Sequence, residues 1–126
     1  MRVMVYLAKY SKSKKLCCLK KISQDEGIPF SFLEKIVSEL VKEKLVKAQK
    51  GPGGGYFLIK KPEKIKVGEI IETLERVTAP VKCLEKEVKF SCPREKNCLA
   101  KKLWRKVQKS LDSTLNLITL ADLISK

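Results

Sequence analysis

Apolar residues recur along most of this chain at the three-to-four-residue interval of an amphipathic helix. Val3, Leu7 and Tyr10 predict a first helix over residues 1–11, ended by the polar run KSKK. Leu19 and Ile22 give a second, short helix one apolar face, and Gly27 is placed to end it in a left-handed cap. Pro29 suits the first position of a third helix, whose predicted stripe is Phe32, Leu33, Ile36, Val37, Leu40 and Val41. A short helix, a glycine turn and a longer helix make a helix-turn-helix pattern, which is weak by itself because many helical hairpins share it.

The periodicity then changes. Residues 45–48 and 56–59 are short apolar runs around GPGGG, which predicts a β-hairpin. So many glycines exceed ordinary turn needs. A bare tip flanked by Lys47, Lys50, Lys60 and Lys61 can lie against a sugar–phosphate surface, so the hairpin reads as a wing. It is not a dinucleotide fingerprint, since no strand there leads directly into a helix. Pro62 closes the wing, and Val67, Ile70, Ile71 and Leu74 mark a further short helix. From residue 78 to 97 periodicity disappears, in a loop holding Cys83 and Cys92 with Cys98 at its end. Leu99, Leu103, Val107, Leu111, Leu115 and Ile118, with Trp104 beside them, predict a helix of about five turns, whose stripe suits a core shared between two subunits. Thr119 can N-cap a last short helix. The expected fold is mostly α with a small β-hairpin wing. Its single domain comprises a winged helix-turn-helix part (1–66), a linker helix and cysteine loop (67–98), and a dimerisation helix with a short C-terminal helix (99–126).

Charge adds a partner. The net charge is +14. Residues 1–66 carry 16 basic and 6 acidic side chains, against 12 and 8 in residues 67–126. A basic half of this kind attracts phosphate backbones or acidic membrane surfaces, although a Lys/Glu-rich solvated surface would share the composition. No apolar run approaches a membrane span of about 18 residues, and MRVMVYLA lacks a small-residue cleavage site. The expected location is cytoplasmic, without a membrane partner.

The 126 residues include five cysteines and no histidine. In an unsecreted chain this argues against a disulfide framework. The adjacent Cys17 and Cys18 read as two small, partly buried hydrophobes. Cys83, Cys92 and Cys98 are spaced too widely for the usual zinc pairs or ferredoxin runs. Their spacing alone leaves a cluster, zinc, a redox disulfide or no shared role all open.

The order helix-turn-helix, KGPGGGYFL, IKVGEII, three-cysteine loop, LAKKLW and TLADL resembles the IscR-type family of winged-helix transcriptional regulators, which includes NsrR and CymR. The likeness runs from about residue 3 to 124 and points to the iron–sulfur-binding branch. It implies a homodimer on double-stranded DNA, with the long helix crossing to the partner. Cys83, Cys92 and Cys98 would ligate an iron–sulfur cluster, [2Fe–2S] rather than [4Fe–4S]. The histidine that some members place three residues after the third cysteine is Lys101 here, so Glu85, Glu87, Glu95, Cys17 and Cys18 become candidates for the remaining ligand. Ser31 and Glu34 match the Ser-x-x-Glu that reads base edges. Lys50 takes the place of the usual Arg before GPGGG, and Lys35, Lys47 and Gly53 complete the expected DNA contacts.

The residue chemistry is compatible. Glu34 can accept from a cytosine N4 amine, and Ser31 can donate or accept. Lys50 offers a point charge instead of a planar fork. The alternatives are a local cap at Ser31 and a salt bridge from Glu34 to a neighbouring Lys. Without histidine or a cleft-forming acid pair, an enzyme is not expected. The competing functions are a thiol- or nitric-oxide-responsive regulator without a stable [2Fe–2S] centre, and a small iron–sulfur electron-transfer protein, for which a basic wing has no use.

Overall fold

The computed structural model describes residues 1–75, 79–85 and 92–125. Helix α1 (Arg2–Lys9) buries Val3, Met4, Tyr6, Leu7 and Ala8, more of its surface than a single stripe would cover. It lies centrally, packed against α2, the second strand and the C-terminal helix. Helix α2 (Leu19–Glu26) buries Ile22 and ends at Gly27, whose φ of 63° is the predicted left-handed cap. Helix α3 (Phe30–Lys42) starts one residue later than expected, with Pro29 as its N-cap. It buries Leu33, Val37 and Leu40, a narrower stripe than predicted. Phe32 and Val41 fall outside that stripe and are exposed.

The wing is an antiparallel pair, β1 (Val46–Gln49) and β2 (Gly55–Leu58), with Val46 opposite Leu58 and Gln49 opposite Gly55. Sequence periodicity does not show a third participant. The backbone of Cys17 pairs with Tyr56 through N–H···O bonds of 3.1 and 2.8 Å, extending the sheet by one residue. The glycines therefore have internal uses. Gly51 and Gly53 sit at φ 102° and 75°. A Cβ on Gly54 would stand 2.2 Å from the Gln49 carbonyl oxygen, and one on Gly55 would stand 2.8 Å from that of Cys17. The run is thus largely required by the hairpin itself, which corrects the reading that it exceeds turn needs. Only around Gly51 and Gly53, among the wing glycines, does a new Cβ meet open space.

After Pro62, Ile65 is fully buried and α4 (Val67–Glu75) follows. Two 3₁₀ turns, Lys82–Leu84 and Glu95–Asn97, occupy the described parts of the predicted loop. Helix α5 (Ala100–Leu117) crosses α4 closely at Gly68, where a Cβ would stand 3.3 Å from that of Leu115. Helix α6 (Leu120–Ile124) begins with a full capping box: the Thr119 hydroxyl accepts from the Asp122 amide, and the Asp122 carboxylate accepts from the Thr119 amide at 2.9 Å.

The buried core joins α1, α2, α3, the wing base, α4 and α6, and includes Ile65, Ile70 and Leu120. No residue of α5 is buried. Leu99, Leu103 and Leu111 are 82%, 57% and 40% exposed, whereas Trp104, Val107, Leu115 and Ile118 are half-buried.

Candidate nucleic-acid interface and cysteine segment

Burial of Leu33, Val37 and Leu40 turns the opposite side of α3 outward, because residues three and four apart share a helix face. That side carries Ser31, Glu34 and Lys35, all exposed. It also carries Ser38 and Lys42, which the motif did not single out; their spacing from Ser31 and Lys35 could have shown them. Neither alternative role is realised among the described residues. The α3 N-terminus has no side-chain cap, so Ser31 is not one, and Glu34 forms no ion pair.

Lys47 and Lys50 are exposed on and beside β1, and Gly53 is exposed at the wing tip. Between α3 and the wing runs a groove of 550 Å³ lined by Phe30, Glu34, Ser38 and Val41 on one side and Ala48 and Tyr56 on the other. Lys60, at the far end of β2, is engaged with Glu69 of α4 at 3.4 Å, which braces the wing against the next helix. The arrangement offers hydroxyl, carboxylate and ammonium groups on one helix face, beside a hairpin with a bare, lysine-flanked tip.

The cysteines are all free thiols. Cys17 is buried in the wing junction, where burial pushes its thiol up from the ordinary value. Cys18 is exposed at the α2 N-cap, so only half of the expected buried pair is buried. Cys83 lies in the first 3₁₀ turn, and Cys92 and Cys98 bracket the second; all three are half-buried. The Cys92 carbonyl accepts from the Glu95 amide, and that of Cys98 accepts from the Lys101 amide. Lys101 also holds the Glu95 carboxylate at 3.1 Å, so this candidate ligand is already engaged. Glu87 lies outside the described residues. Among the described residues, no group of three or more Cys, Asp or Glu gathers closely enough to hold a metal ion. No helix among them is long and apolar enough to cross a membrane.

Two helices set at a glycine turn, followed by a two-stranded wing, define a winged helix-turn-helix DNA-binding protein. The chain belongs to the Rrf2 family, described as an iron-dependent transcriptional regulator, whose family model matches residues 1–126. It is similar to protein rrf2 of Nitratidesulfovibrio vulgaris, 39% identical over 106 residues, which cover 84% of this chain and 69% of that protein. It is equally similar, 39% over 107 residues, to the HTH-type transcriptional regulator IscR of Erwinia tasmaniensis. That match covers 85% of this chain and 63% of the relative, so the chain spans less than two thirds of IscR's length. Among solved structures, T. potens IscR matches at 34% identity and a TM-score of 0.75, covering 98% of this chain and 78% of that one. CymR, the global cysteine regulator of B. subtilis, matches at 33% and 0.78, covering 98% and 88%. The chain is a transcriptional regulator of the IscR and CymR type, not an enzyme.

Proposed function

We propose that this regulator binds DNA as a homodimer and that an iron–sulfur cluster held by Cys83, Cys92 and Cys98 controls the binding. The observation that carries the DNA half is the exposed set Ser31, Glu34 and Lys35, which forms no ion pair among the described residues, beside a wing bearing Lys47, Lys50 and Gly53. Ser31 and Glu34 read base edges, while Lys35, Lys47 and Lys50 neutralise phosphates. Gly53 lets the wing tip approach the backbone, since nothing stands within 4 Å of where its Cβ would be.

For the cluster, the donor chemistry fits: three free, half-buried thiols in one segment suit iron–sulfur ligation, and [2Fe–2S] is the favoured form. When bound, the cluster supplies a redox-sensitive centre. The chain's own residues supply the route from it. Leu84, next to Cys83, lines a groove together with Arg105, Gln108 and Lys109 of α5, so the first cysteine turn faces the long helix across that groove.

A second reading, a thiol- or nitric-oxide-responsive regulator without a stable cluster, draws on the fact that the described cysteines are free and ungathered. The folds of IscR and of a cysteine regulator match equally well, so fold alone does not choose between the signals.

Anaerobic purification with a visible–ultraviolet spectrum and iron and sulfide counts tests the first reading. Brown protein whose charge-transfer bands vanish in Cys92→Ala supports it. A colourless product with stoichiometric zinc, or with no metal, overturns it.

A further inference from the structure

Phe30 and Glu34 stand one turn apart on α3 and line the same groove facing the wing. Phe30 is 46% exposed and stands with Val41 on the groove-facing flank of α3, between the buried stripe of Leu33 and Val37 and the polar side that carries Ser31, Lys35 and Lys42. Packing gives a reason for its buried half only. The groove walls it shares with Val41, Ala48 and Tyr56 are mainly apolar, and the one charged group among the groove's lining residues is the Glu34 carboxylate. A phosphate is therefore a poor occupant, because it would meet a like charge beside apolar surface. What suits both groups is the major-groove edge of pyrimidines. Cytosine presents an N4 amine to a carboxylate, and thymine presents a C5 methyl to an apolar side chain such as Phe.

We infer that Phe30 is a specificity-determining residue that packs on the C5 methyl of a thymine lying one or two base steps from the cytosine read by Glu34. The spacing agrees with this. Side chains four apart on a helix are about 5–6 Å apart at Cβ, against roughly 3.4 Å per base along one strand. The inference deepens the DNA-reading role proposed above and rests on it. Phe32 is more exposed still, at 58%, but is not among the residues lining this groove, so it serves as the control.

The test uses the full chain and an operator selected from a random duplex pool. Each thymine of the operator is replaced in turn by deoxyuridine, which removes the C5 methyl and preserves pairing. One position should weaken wild-type binding about fourfold, the equivalent of about 0.8 kcal/mol for one buried carbon. Phe30→Ala should bind the unmodified operator more weakly and be insensitive to that replacement, whereas Phe32→Ala should remain as sensitive as wild type. Phe30→Leu, which keeps an apolar surface, should retain part of the sensitivity. If no deoxyuridine position affects the wild type, or if the effect persists undiminished in Phe30→Ala, the inference is overturned while the DNA-reading role stands. If no sequence is selected from the pool, both fail together.

Discussion

The amide of Val67 donates to the carbonyl of Ile118 at 2.9 Å, and the amide of Leu120 donates to the carbonyl of Ile65 at 2.8 Å. This two-bond splice joins the chain leaving the wing to the chain leaving α5, with Ile65 and Leu120 fully buried around it. The long helix is thereby tied at its C-terminal end to the base of the wing and at its N-terminal end to the cysteine segment. A displacement of α5 therefore has a hydrogen-bonded backbone route to the base of the wing.

Val67 is the first residue of α4, a position where proline is tolerated because its amide lies outside the helical ladder. Val67→Pro should therefore delete the bond to Ile118 and leave α4 intact. Loss of one buried backbone bond costs about 1 kcal/mol. The urea midpoint should fall accordingly, with helix content by circular dichroism unchanged. Amide exchange should quicken at Leu120 and at the wing, whereas Val67→Ala, which keeps the bond, should quicken neither.

A second link is electrostatic. The Tyr6 hydroxyl donates to the Asp25 carboxylate at 2.7 Å, joining α1 to α2, and Lys21 lies 3.2 Å from the same carboxylate. The Tyr6 bond first, and Lys21 second, hold the Asp25 carboxyl below its usual 3.8; the same bond and burial hold the Tyr6 phenol far above 10. A depressed carboxyl contributes stability that is present above 3.8 and lost as pH falls through the lower folded value. A raised phenol contributes stability that is present below 10 and lost as pH climbs beyond it. Tyr6→Phe should consequently flatten the stability curve below pH 3.8 and remove the phenol's alkaline contribution. Denaturant midpoints measured from pH 2 to 11 check both limbs.

The apolar positions of α5 carry the third prediction. Leu103 and Leu111 are exposed on an otherwise regular apolar stripe, which the proposed homodimer would cover. Leu111→Lys should weaken the dimer tenfold or more, since burying one leucine is worth about 1.5–3 kcal/mol before the cost of the charge is added. Sedimentation of both proteins from nanomolar to micromolar concentration reads the change. A wild-type monomer at micromolar concentration would refute the dimer.

Much of this architecture is legible in the sequence because local chemistry determines it. Gly27 requires a left-handed cap, Thr119 and Asp122 form a box by themselves, and the Leu33, Val37 and Leu40 stripe needs only helical spacing. What periodicity misses is long-range. The pairing of Cys17 with Tyr56 explains why Gly55 lacks a side chain, yet the two residues lie far apart in sequence and each is unremarkable alone. The same holds for the Ile65 and Leu120 splice. On α3, a six-residue stripe overstates burial, because the core covers a narrower sector and leaves Phe32 and Val41 outside it. The cysteines are the reverse case: the motif groups them by sequence, whereas the described fold leaves them ungathered.

Positioning and reading separate cleanly on the DNA-binding face. In the proposed complex the lysines of the wing meet phosphates, whose contribution is independent of sequence and falls with salt. Glu34 is exposed, forms no ion pair among the described residues and lines the groove facing the wing, so its carboxylate is available to a base edge. Glu34→Ala should lower discrimination at one base pair by roughly 1–3 kcal/mol. Its affinity for a scrambled duplex should hold or rise, because a negative charge near phosphates has gone. Lys47→Ala should instead weaken binding to operator and scrambled duplex alike and make the salt dependence shallower by about one contact. Salt titrations of both variants on both duplexes give the four slopes needed. Equal loss on the two duplexes in Glu34→Ala would make Glu34 a structural residue, and the reading face of α3 would then have to be sought at Ser31, Lys35 and Ser38.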